Sequence, residues 1–452
     1  MACDPFPDPT PGPAPVPDSP RLHTWLQAPV ISLAVVVIAS GFGQFAATAA
    51  LGDVARAFGD VTPGTSVAEQ AGLSGTMLGL GLAAIRLASL ASLPLAGLAD
   101  RRGRRTIVLG FTAIGLAVTA LAALSPTYWW FVALFAVSRP FLSATNAVAQ
   151  VAAAEHTSAG QRVRAMALVT GGYALGGGLV VVIRGIGGQA VGFRGVFALA
   201  LVPLALLPVL ARHLTEPDRY QIQAAAAPAG PGASSRLPVL DALRGERGRR
   251  LLALMVVAFA VAFVTGPANS FVFVYLENVL GLSRAVSAVV VVAALPAGLI
   301  GLVLGRWAAD TIGRRVTAGV ALAGIATAGV LTYSGSSGAA IGGYLAAVLA
   351  GAAFAPALAA LAAELFPTSV RASVAGWLVA VGVVGAAAGL LAFGTLADRL
   401  DGFAPAAIFV AAPALAATLV FTRLPETRGL ELEESAESPT QPARATKPFW
   451  RQ

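Results

Sequence analysis

The sequence predicts an all-α integral membrane protein in which twelve transmembrane helices form two pseudo-symmetric six-helix bundles. Three observations lead to this prediction: a very apolar composition, about twelve long apolar runs, and a repeat that relates the two halves. Of the 452 residues, 57% are hydrophobic and only 12% are charged, with a mean hydropathy of +0.77. A soluble domain carries about twice that share of charged residues, so most of the surface must face lipid.

The apolar runs are long enough to cross a bilayer as helices, which takes about 20 mostly apolar residues. Spanning β-strands would be about half as long and would alternate apolar and polar residues. We place the spans at 28–51, 71–98, 106–124, 129–153, 165–188, 195–213, 251–276, 284–305, 316–334, 338–363, 373–397 and 403–423. The predicted domains are a disordered tail at 1–27, a first bundle at 28–214, a linker at 215–250, a second bundle at 251–424 and a tail at 425–452.

Three landmarks recur in the two halves of the chain. Asp100 opens the run DRRGRR and Asp310 opens DTIGRR, while Glu216 lies in LTEP and Glu426 in LPET. Both pairs are 210 positions apart (310 − 100 and 426 − 216). The segment AEHTSAGQRVRA is matched by AELFPTSVRA, with two residues fewer in the second copy. Two homologous halves follow, and parallel repeats of this kind are the architecture of carriers with one central binding site.

The arginines set the predicted orientation in the membrane. Basic clusters follow the even-numbered spans, whereas SPTY at 125–128 and YSGSSG at 333–338 carry no charge. By the positive-inside rule, both termini and the linker are cytoplasmic, in a multi-pass protein of the inner cell membrane. This pattern also accounts for the net charge of +8, so we expect lipid around the protein and no nucleic-acid partner.

With these motifs the chain resembles the major facilitator superfamily, and among its branches the sugar porters and metabolite:proton symporters. The superfamily's signature is a D-R-x-G-R-R loop between spans two and three, echoed between spans eight and nine. Two glycines of that pattern are replaced here, by Ala96 and Arg306. The resemblance covers about residues 28–430, and it implies the major facilitator fold and secondary transport by alternating access.

The resemblance also implies a cytoplasmic gate, in which charged residues latch helices together in one conformer and release them in the other. The alternative interpretation is that these residues are solvated helix ends that satisfy the positive-inside rule. The implied gating residues are Asp100, Arg101, Gly103, Arg104, Arg105, Glu155 and Arg164 in the first half, and Asp310, Gly313, Arg314, Arg315, Glu364, Arg371, Glu426 and Arg428 in the second.

Two arginines lie deep in the predicted spans. Arg86 is roughly 20 Å from each surface and Arg139 is roughly 15 Å deep, at 1.5 Å per helical residue. Inserting an arginine at the centre of a membrane helix costs about 2.5–3.5 kcal/mol on insertion scales, so a compensating interaction or a functional role is expected. No Asp or Glu lies near the middle of a predicted span, and an anionic substrate is the simplest neutraliser. Alternatively, Arg86 bonds to carbonyls or hydroxyls of its own half. Arg184, near the outer end of span five, is expected to snorkel to the surface.

Further polar residues lie on spans one, four and seven, which line the central cavity in the superfamily. Each could instead form a hydrogen bond between helices. The additional substrate-binding candidates are Gln44, Asn146, Gln150, Asn269 and Tyr275. Glu277, at the outer end of span seven, and Asp53, just beyond span one, are the candidates for proton coupling.

The predicted function is secondary transport of a small organic solute, an anionic metabolite moved with protons, by a monomer; uniport and anion exchange stay open. The alternative is a multidrug efflux proton antiporter, whose fourth-span motif Arg139 resembles. Pro140 departs from that motif, and no deep acidic residue accompanies it. A third hypothesis is a transport-like sensor or a membrane enzyme. The single Cys3 and three histidines show no metal-site or catalytic pattern, so we expect no enzyme activity, no cofactor and no metal.

Overall fold

The computed structural model of the chain describes residues 24–59, 66–157, 161–187, 192–216, 245–366 and 368–428. All regular structure in these ranges is helical, and twelve of the helices are long and apolar enough to cross a membrane. They are numbered here as spans one to twelve. Their bounds are Ala28–Ala49, Gly75–Arg102, Arg104–Leu124, Tyr128–Glu155, Arg162–Gly187 and Phe193–His213 in the first half, and Gly245–Val279, Arg284–Thr311, Arg314–Thr332, Ser337–Glu364, Thr368–Arg399 and Phe403–Arg423 in the second.

These bounds confirm the prediction of a twelve-span all-α fold. Span seven begins at Gly245, inside the predicted linker, and most of the linker and of both predicted tails lies outside the described residues. Short helices at Thr24–Leu26, Leu51–Phe58 and Val67–Ala71 precede or follow the first span. The long connection between spans one and two is therefore partly helical, which the sequence analysis did not predict.

The two halves pack in the same way. Span one packs along span five as span seven packs along span eleven, and spans three and four pair as spans nine and ten do. Between the halves, span two packs against span eleven and span five against span eight. The relation that maps one half onto the other turns span two into span eight and span five into span eleven. It therefore converts each of these two contacts into the other, so the bundles form a pseudo-twofold pair.

Glycine lets the paired helices within each bundle approach backbone to backbone. A Cβ at Gly176 of span five would clash with the Ile38 carbonyl oxygen of span one. A Cβ at Gly385 of span eleven would likewise clash with the Phe259 carbonyl oxygen of span seven. Helices in lipid gain little from apolar burial against each other, so close packing of small residues is what holds these pairs together.

The two ends of the molecule differ in charge. One end carries residues 99–105 and 309–315 and is called the basic end. Gly103 and Gly313 there have φ angles of 91° and 130°, a region that glycine tolerates and other residues rarely adopt. The opposite end carries residues 51–59, 66–75 and 275–284 and is called the closed end, because the two bundles meet there. At the closed end, a Cβ at Gly75 would lie 2.6 Å from the Gly394 carbonyl oxygen, so spans two and eleven also touch backbone to backbone.

We predict that Gly176→Ala destabilises the protein, because the added methyl group forces spans one and five apart. The expected cost is about 1–3 kcal/mol, the range for overpacking. Gly171→Ala on the same helix is the control, since nothing lies within 4 Å of a Cβ there. Thermal unfolding in detergent measures both variants, and equal melting temperatures would contradict the prediction.

Candidate functional site

A cavity of about 420 Å³ lies between the two bundles. This volume is in the range of sites for small organic molecules, roughly 300–1,000 Å³. Spans one, two, four and five line it from the first bundle, and spans seven, eight, ten and eleven from the second. The lining residues are Gln44, Phe45, Ala47, Thr48, Leu82, Ile85, Arg86, Arg139, Tyr173, Ala174, Gly177, Gly178 and Val181, and Thr265, Gly266, Asn269, Ser270, Phe273, Val291, Ala294, Leu295, Tyr344, Val348 and Leu390.

Both deep arginines line this cavity, as predicted. Arg139 Nη1 donates to the Gln44 carbonyl oxygen at 3.1 Å, and its buried Nε has no acceptor among the described residues. The Arg86 guanidinium lies within electrostatic range of Arg139, and the described part of the chain offers it no hydrogen bond or ion pair. No acidic side chain of the described residues lines the cavity. The result is two like charges that the described residues leave without a compensating carboxylate.

Local helix geometry explains how Arg86 is placed. Span two is α-helical from Gly75 to Ala88 and then narrows to a 3₁₀ turn at Ser89–Ala91. Pro94 lacks the N–H that would bond to the Leu90 carbonyl, which accounts for the break. Arg86 therefore lies in the last α-helical turn before this narrower segment of span two.

The other predicted substrate residues divide into two groups. Gln44 and Asn269 line the cavity; Gln44 donates from Nε2 to Ser40 at 3.1 Å and accepts from Ser143 at 3.3 Å. Asn146 and Gln150 do not line it, because they lie farther along span four toward the basic end.

Tyr275 also lies outside the cavity, which corrects its placement in the substrate site. The last turn of span seven is a π-helix at Tyr275–Val279, and this wider turn directs the tyrosine ring toward Tyr333, with ring centroids 4.9 Å apart. The Tyr275 hydroxyl accepts a hydrogen bond from the Gly335 amide at 2.8 Å. The side chain thus ties span seven to the loop after span nine.

Several lining residues were not singled out from the sequence. Phe45 and Tyr173 form an edge-to-face pair with centroids 5.9 Å apart, and Tyr173 lies in the glycine-rich GGYALGGG run of span five. Phe273 and Tyr344 line the cavity from the second bundle. An aromatic residue on an apolar span is usually part of the core, so the sequence held no signal that set these four apart.

At the closed end, four charged side chains form a buried cluster that joins the two bundles. Arg184 Nε donates to Asp53 at 2.7 Å, and its two terminal nitrogens donate to Glu277 at 2.6 and 2.5 Å. Arg284 donates to the second oxygen of Asp53 at 2.5 Å. Arg184 is 1% exposed, Glu277 3% and Asp53 5%. The expectation that Arg184 snorkels is therefore wrong: two carboxylates hold it inside the protein.

This closed-end ion cluster is neutral as a set and costly to break. Two arginines balance two carboxylates, and each carboxylate accepts charge-assisted bonds, which are stronger than neutral ones. Removing one member of a buried ion pair leaves an uncompensated charge at a cost of about 3–5 kcal/mol. Asp53 and Arg184 belong to the first bundle and Glu277 and Arg284 to the second, so the cluster resists separation of the bundles.

Two further contacts join the bundles at the closed end. Asp398 of span eleven accepts from the Gly75 and Thr76 amides at 2.7 Å each and from the Thr76 hydroxyl at 2.6 Å. It thereby satisfies amide groups at the start of span two that have no partner within the helix. Asn278 donates to the Gly52 and Ala71 carbonyl oxygens at 3.3 and 3.0 Å.

At the basic end, the predicted charged residues form one network in each bundle. Arg104 donates to Glu155 at 3.2 Å, and Glu216 accepts from the Arg104 and Arg105 amides. In the second bundle, Arg314 donates to Glu364 at 3.2 Å. Glu426 accepts there from the amides of Arg314 and Arg315 at 2.9 and 3.1 Å. Each glutamate caps the start of a span, where a carboxylate is favoured.

The remaining predicted gating residues lie at the surface of the basic end. Asp100 and Asp310 are exposed, and their oxygens lie 3.1 and 3.8 Å from nitrogens of Arg104 and Arg314. The Arg101 and Arg428 side chains are exposed. In each half, a glutamate thus accepts a hydrogen bond from a buried or half-buried arginine: Glu155 from Arg104, and Glu364 from Arg314. The aspartates that open the two motifs remain exposed to solvent.

The match of AEHTSAGQRVRA with AELFPTSVRA, with two residues fewer in the second copy, makes Arg164 equivalent to Arg371. The structure corrects this equivalence. Arg371 Nε donates to the Ala363 carbonyl oxygen at 2.9 Å, and Arg162 Nε donates to Ala154 at 3.3 Å. Both arginines lie eight residues beyond the carbonyl, so the two copies align without a gap up to this point. Both arginines bond there because the last carbonyl groups of a helix have no donor within the helix and need one from elsewhere. The Arg164 side chain is exposed and makes no hydrogen bond within the described ranges.

Comparisons with known proteins agree with this architecture. A family model described as Major Facilitator Superfamily matches residues 33–351 and 284–452. The transcription regulatory protein OpdE of Pseudomonas aeruginosa is 30% identical over 254 residues, which are 56% of this chain. The matched segment spans 60% of OpdE, less than two thirds of its length.

Solved transporter structures are similar in fold. A bacterial homologue of the human lysosomal transporter Spinster, in an inward-facing and occupied conformation, shares 17% identity at a TM-score of 0.67, over 91% of this chain and 98% of that one. The inward-open xylose transporter XylE from E. coli shares 19% identity at 0.66, over 90% and 98%. The nucleoside transporter NupG shares 12% at 0.69, over 87% and 99%. With its family match and twelve candidate spans, this multi-pass membrane protein belongs to the Major Facilitator Superfamily.

Proposed function

We propose that the protein carries a small organic anion across the membrane by alternating access, with the central cavity as its binding site. Transport of small solutes comes with membership of the superfamily. The observation that supports an anion is the pair of arginines in a cavity that no described carboxylate lines. Two cations in a low-dielectric space repel each other, and a bound anion removes that repulsion.

The two guanidinium groups suit an anionic head group. Arginine presents a planar fork of N–H donors that matches carboxylate and phosphate oxygens. The Gln44 carbonyl oxygen holds one terminal nitrogen of Arg139, which fixes the side chain and leaves its Nε without an acceptor. Because the described residues offer the Arg86 side chain no hydrogen bond or ion pair, an anion that binds there breaks no such bond among them.

The contacts between the bundles support a state that is closed at one end. The Asp53 cluster and the Asp398 contact join the bundles at the closed end, whereas the networks of Arg104 and Arg314 each stay within one bundle. If the arginine-rich end faces the cytoplasm, as the positive-inside rule implies, this state opens inward. The inward-facing forms of the Spinster homologue and of XylE are similar in fold.

The closed-end ion cluster is suited to act as the outer gate. When the bundles part, the first bundle keeps Asp53 and Arg184, and the second keeps Glu277 and Arg284. Each bundle therefore retains one positive and one negative charge, so neither bundle is left with a net charge at this site when the gate opens. Breaking and re-forming bonds of this kind can bias a two-state interface by a few kcal/mol.

The residues of the basic end are proposed to act as the inner gate. Asp100 and Asp310 are exposed next to Arg104 and Arg314 in this state, and so are free to meet the other bundle when the basic end closes. Glu216 and Glu426 hold the starts of spans three and nine. This arrangement keeps both loops in a defined position while the bundles move.

Glu277 is the proposed site of proton coupling, with Asp53 as the second candidate. Glu277 accepts two bonds from Arg184, which belongs to the other bundle and leaves it when the outer gate opens. Asp53 keeps its bond from Arg184 because both belong to the first bundle. Only Glu277 thus loses its principal partner during the cycle, which makes it the better proton acceptor of the two.

Two other functions are weighed against anion transport. A multidrug efflux antiporter would be expected to hold cationic drugs with an acid in the cavity, where the described residues supply two arginines instead. A sensor is the second candidate, favoured by the similarity to a transcription regulatory protein over part of its length. A sensor binds the anion without moving it, so transport measurements in liposomes separate the two.

We predict that Arg86→Gln and Arg139→Gln each abolish anion uptake. Each substitution removes a counter-charge from the cavity but leaves a side chain of similar reach, so the protein should still insert and fold. Uptake into proteoliposomes, with the amount of folded protein checked by size-exclusion chromatography, measures the effect. Arg194→Gln at the exposed closed-end surface is the control. Normal uptake by both cavity variants would refute the anion-binding role.

We predict that Arg184→Gln opens the outer gate and lowers stability by about 3–5 kcal/mol, since it leaves Asp53 and Glu277 with one fewer cation. The double variant Arg184→Gln with Glu277→Gln should be milder, because it restores the charge balance of the cluster. Spin labels on spans five and eight at the closed end, in a Cys3→Ser background, report the distance between the bundles. A single variant that keeps the parent distance and stability would contradict the gate.

We predict that Glu277→Gln removes the dependence of uptake on a pH gradient, because glutamine cannot take up the proton. The measurement compares uptake with and without an imposed gradient across the liposome membrane, at equal external pH. Asp53→Asn should keep the dependence. If the parent protein ignores the gradient and instead requires an anion inside the liposome, the protein is an anion exchanger and Glu277 serves the gate alone.

A further inference from the structure

The charged part of the cavity belongs to one bundle. Arg86 and Arg139 are both in the first half, and both line the same cavity. Two guanidinium groups in one cavity can bind the oxygens of a single anionic head group. A ligand with two separated anionic groups could satisfy only one of them here.

The equivalent positions of the second bundle are apolar. Arg139 is eleven residues beyond the start of its helix at Tyr128, and Val348 is eleven beyond the start of its helix at Ser337. Arg86 and Leu295 are likewise eleven residues beyond the starts of spans two and eight, at Gly75 and Arg284. The pseudo-twofold relation therefore places Val348 and Leu295 in the same cavity, where each arginine has its counterpart.

More apolar side chains extend this surface, which is called the apolar wall. Spans eight, ten and eleven supply Val291, Leu295, Val348 and Leu390 to it. If a ligand placed a hydroxyl or a second charge against the wall, that group would lose its hydrogen bonds to water and gain none from these apolar side chains. Such desolvation is unfavourable. A ligand with hydroxyls all round, or with an anionic group at each end, therefore fits poorly.

Aromatic side chains border the same space. Phe45 and Tyr173 meet edge to face on the side of the first bundle, and Phe273 and Tyr344 line the cavity from the second. Rings prefer offset or edge contacts with other rings, and such contacts add to the gain from burial. The cavity thus offers a cationic pole, an apolar wall and aromatic edges, together with the polar side chains of Thr265, Asn269 and Ser270 on span seven.

We infer that the transported anion is amphipathic, with a single anionic head group on an apolar, ring-sized body. The head group binds between Arg86 and Arg139, and the body packs on the apolar wall. This inference rests on the proposed function and narrows its substrate: it excludes sugar acids, which carry one anionic group but no apolar body, and short dicarboxylates, which carry two anionic groups and no apolar body.

The test uses three labelled anions in proteoliposomes that hold the full-length protein. Benzenesulfonate has one head group and a ring, and it remains ionised, so it does not leak through lipid as a neutral acid. Gluconate has one head group on a hydroxylated chain, and succinate has two head groups. We expect saturable uptake of benzenesulfonate at least tenfold above that of gluconate or succinate, and its loss in Arg86→Gln.

A second variant probes the apolar wall directly. Val291→Thr combined with Val348→Thr keeps the side-chain shapes but adds hydroxyls, and we expect the KM for benzenesulfonate to rise about tenfold with kcat unchanged. Val289→Thr, on the same helix as Val291, is the matched control, because Val289 is 67% exposed on the outside of the bundle. The control should behave as the parent protein does.

The outcomes separate this inference from the proposed function. Arginine-dependent uptake of gluconate or succinate, without uptake of benzenesulfonate, would overturn the amphipathic substrate and leave anion transport standing. An unchanged KM in the double threonine variant would also overturn it. If none of the three anions is taken up, or if Arg86→Gln has no effect on uptake, both the substrate class and the anion carrier are overturned.

Discussion

The structure depends on the rule that a charge removed from water must be balanced nearby, and the chain meets this rule in two different ways. Arg184 is enclosed and bound by two carboxylates from two bundles. Arg86 and Arg139 are half-buried in the cavity, and no described carboxylate reaches them. In a low-dielectric interior a compensated cation is a structural element, whereas an uncompensated one favours binding of an anion. The contrast between these arginines supports the proposal that the gate lies at the closed end and the substrate site in the central cavity.

The scaffold is symmetric and the binding site is not. Equivalent glycines let spans one and five, and seven and eleven, touch through their backbones, and equivalent glutamates cap spans three and nine. These devices hold each bundle rigid, so they are needed in both halves. The cavity does not need the same residues in both halves, because one half is enough to supply the counter-charge for a ligand. Val348 at the position equivalent to Arg139 shows how one repeat can carry the charge and the other the apolar contact surface.

In the proposed cycle, the ion cluster at the closed end links the scaffold to transport. It joins Asp53 and Arg184 of the first bundle to Glu277 and Arg284 of the second, so each bundle keeps one positive and one negative charge if the two separate. A single buried pair with one charge in each bundle would leave both bundles charged on opening, which is far costlier in a membrane. Asp53 keeps its bond from Arg184 within the first bundle, whereas the bonds of Arg184 to Glu277 and of Arg284 to Asp53 cross between the bundles and must break when the proposed gate opens.

The deep arginines could be found from sequence because depth follows from counting residues along a helix. Their partners could not be found in this way. Arg184 lies near the end of its span, where snorkelling is the usual solution, and only the packing of spans five, seven and eight brings Glu277 to it. Tyr275 lies on a span that lines the cavity, but a π-turn directs its ring toward span nine. Arg164 was paired with Arg371 by spacing, whereas the hydrogen bonds pair Arg162.

The sequence by itself determined the twelve spans, the twofold repeat, the family resemblance and the depth of Arg86 and Arg139 in their spans, because hydropathy, period and spacing are properties of a linear chain. The tertiary structure decided which side chains share the cavity, which carboxylates compensate which arginines, and which end is closed. Those outcomes depend on distances between helices, and interhelical contacts in a membrane are set by backbone packing that no single span encodes.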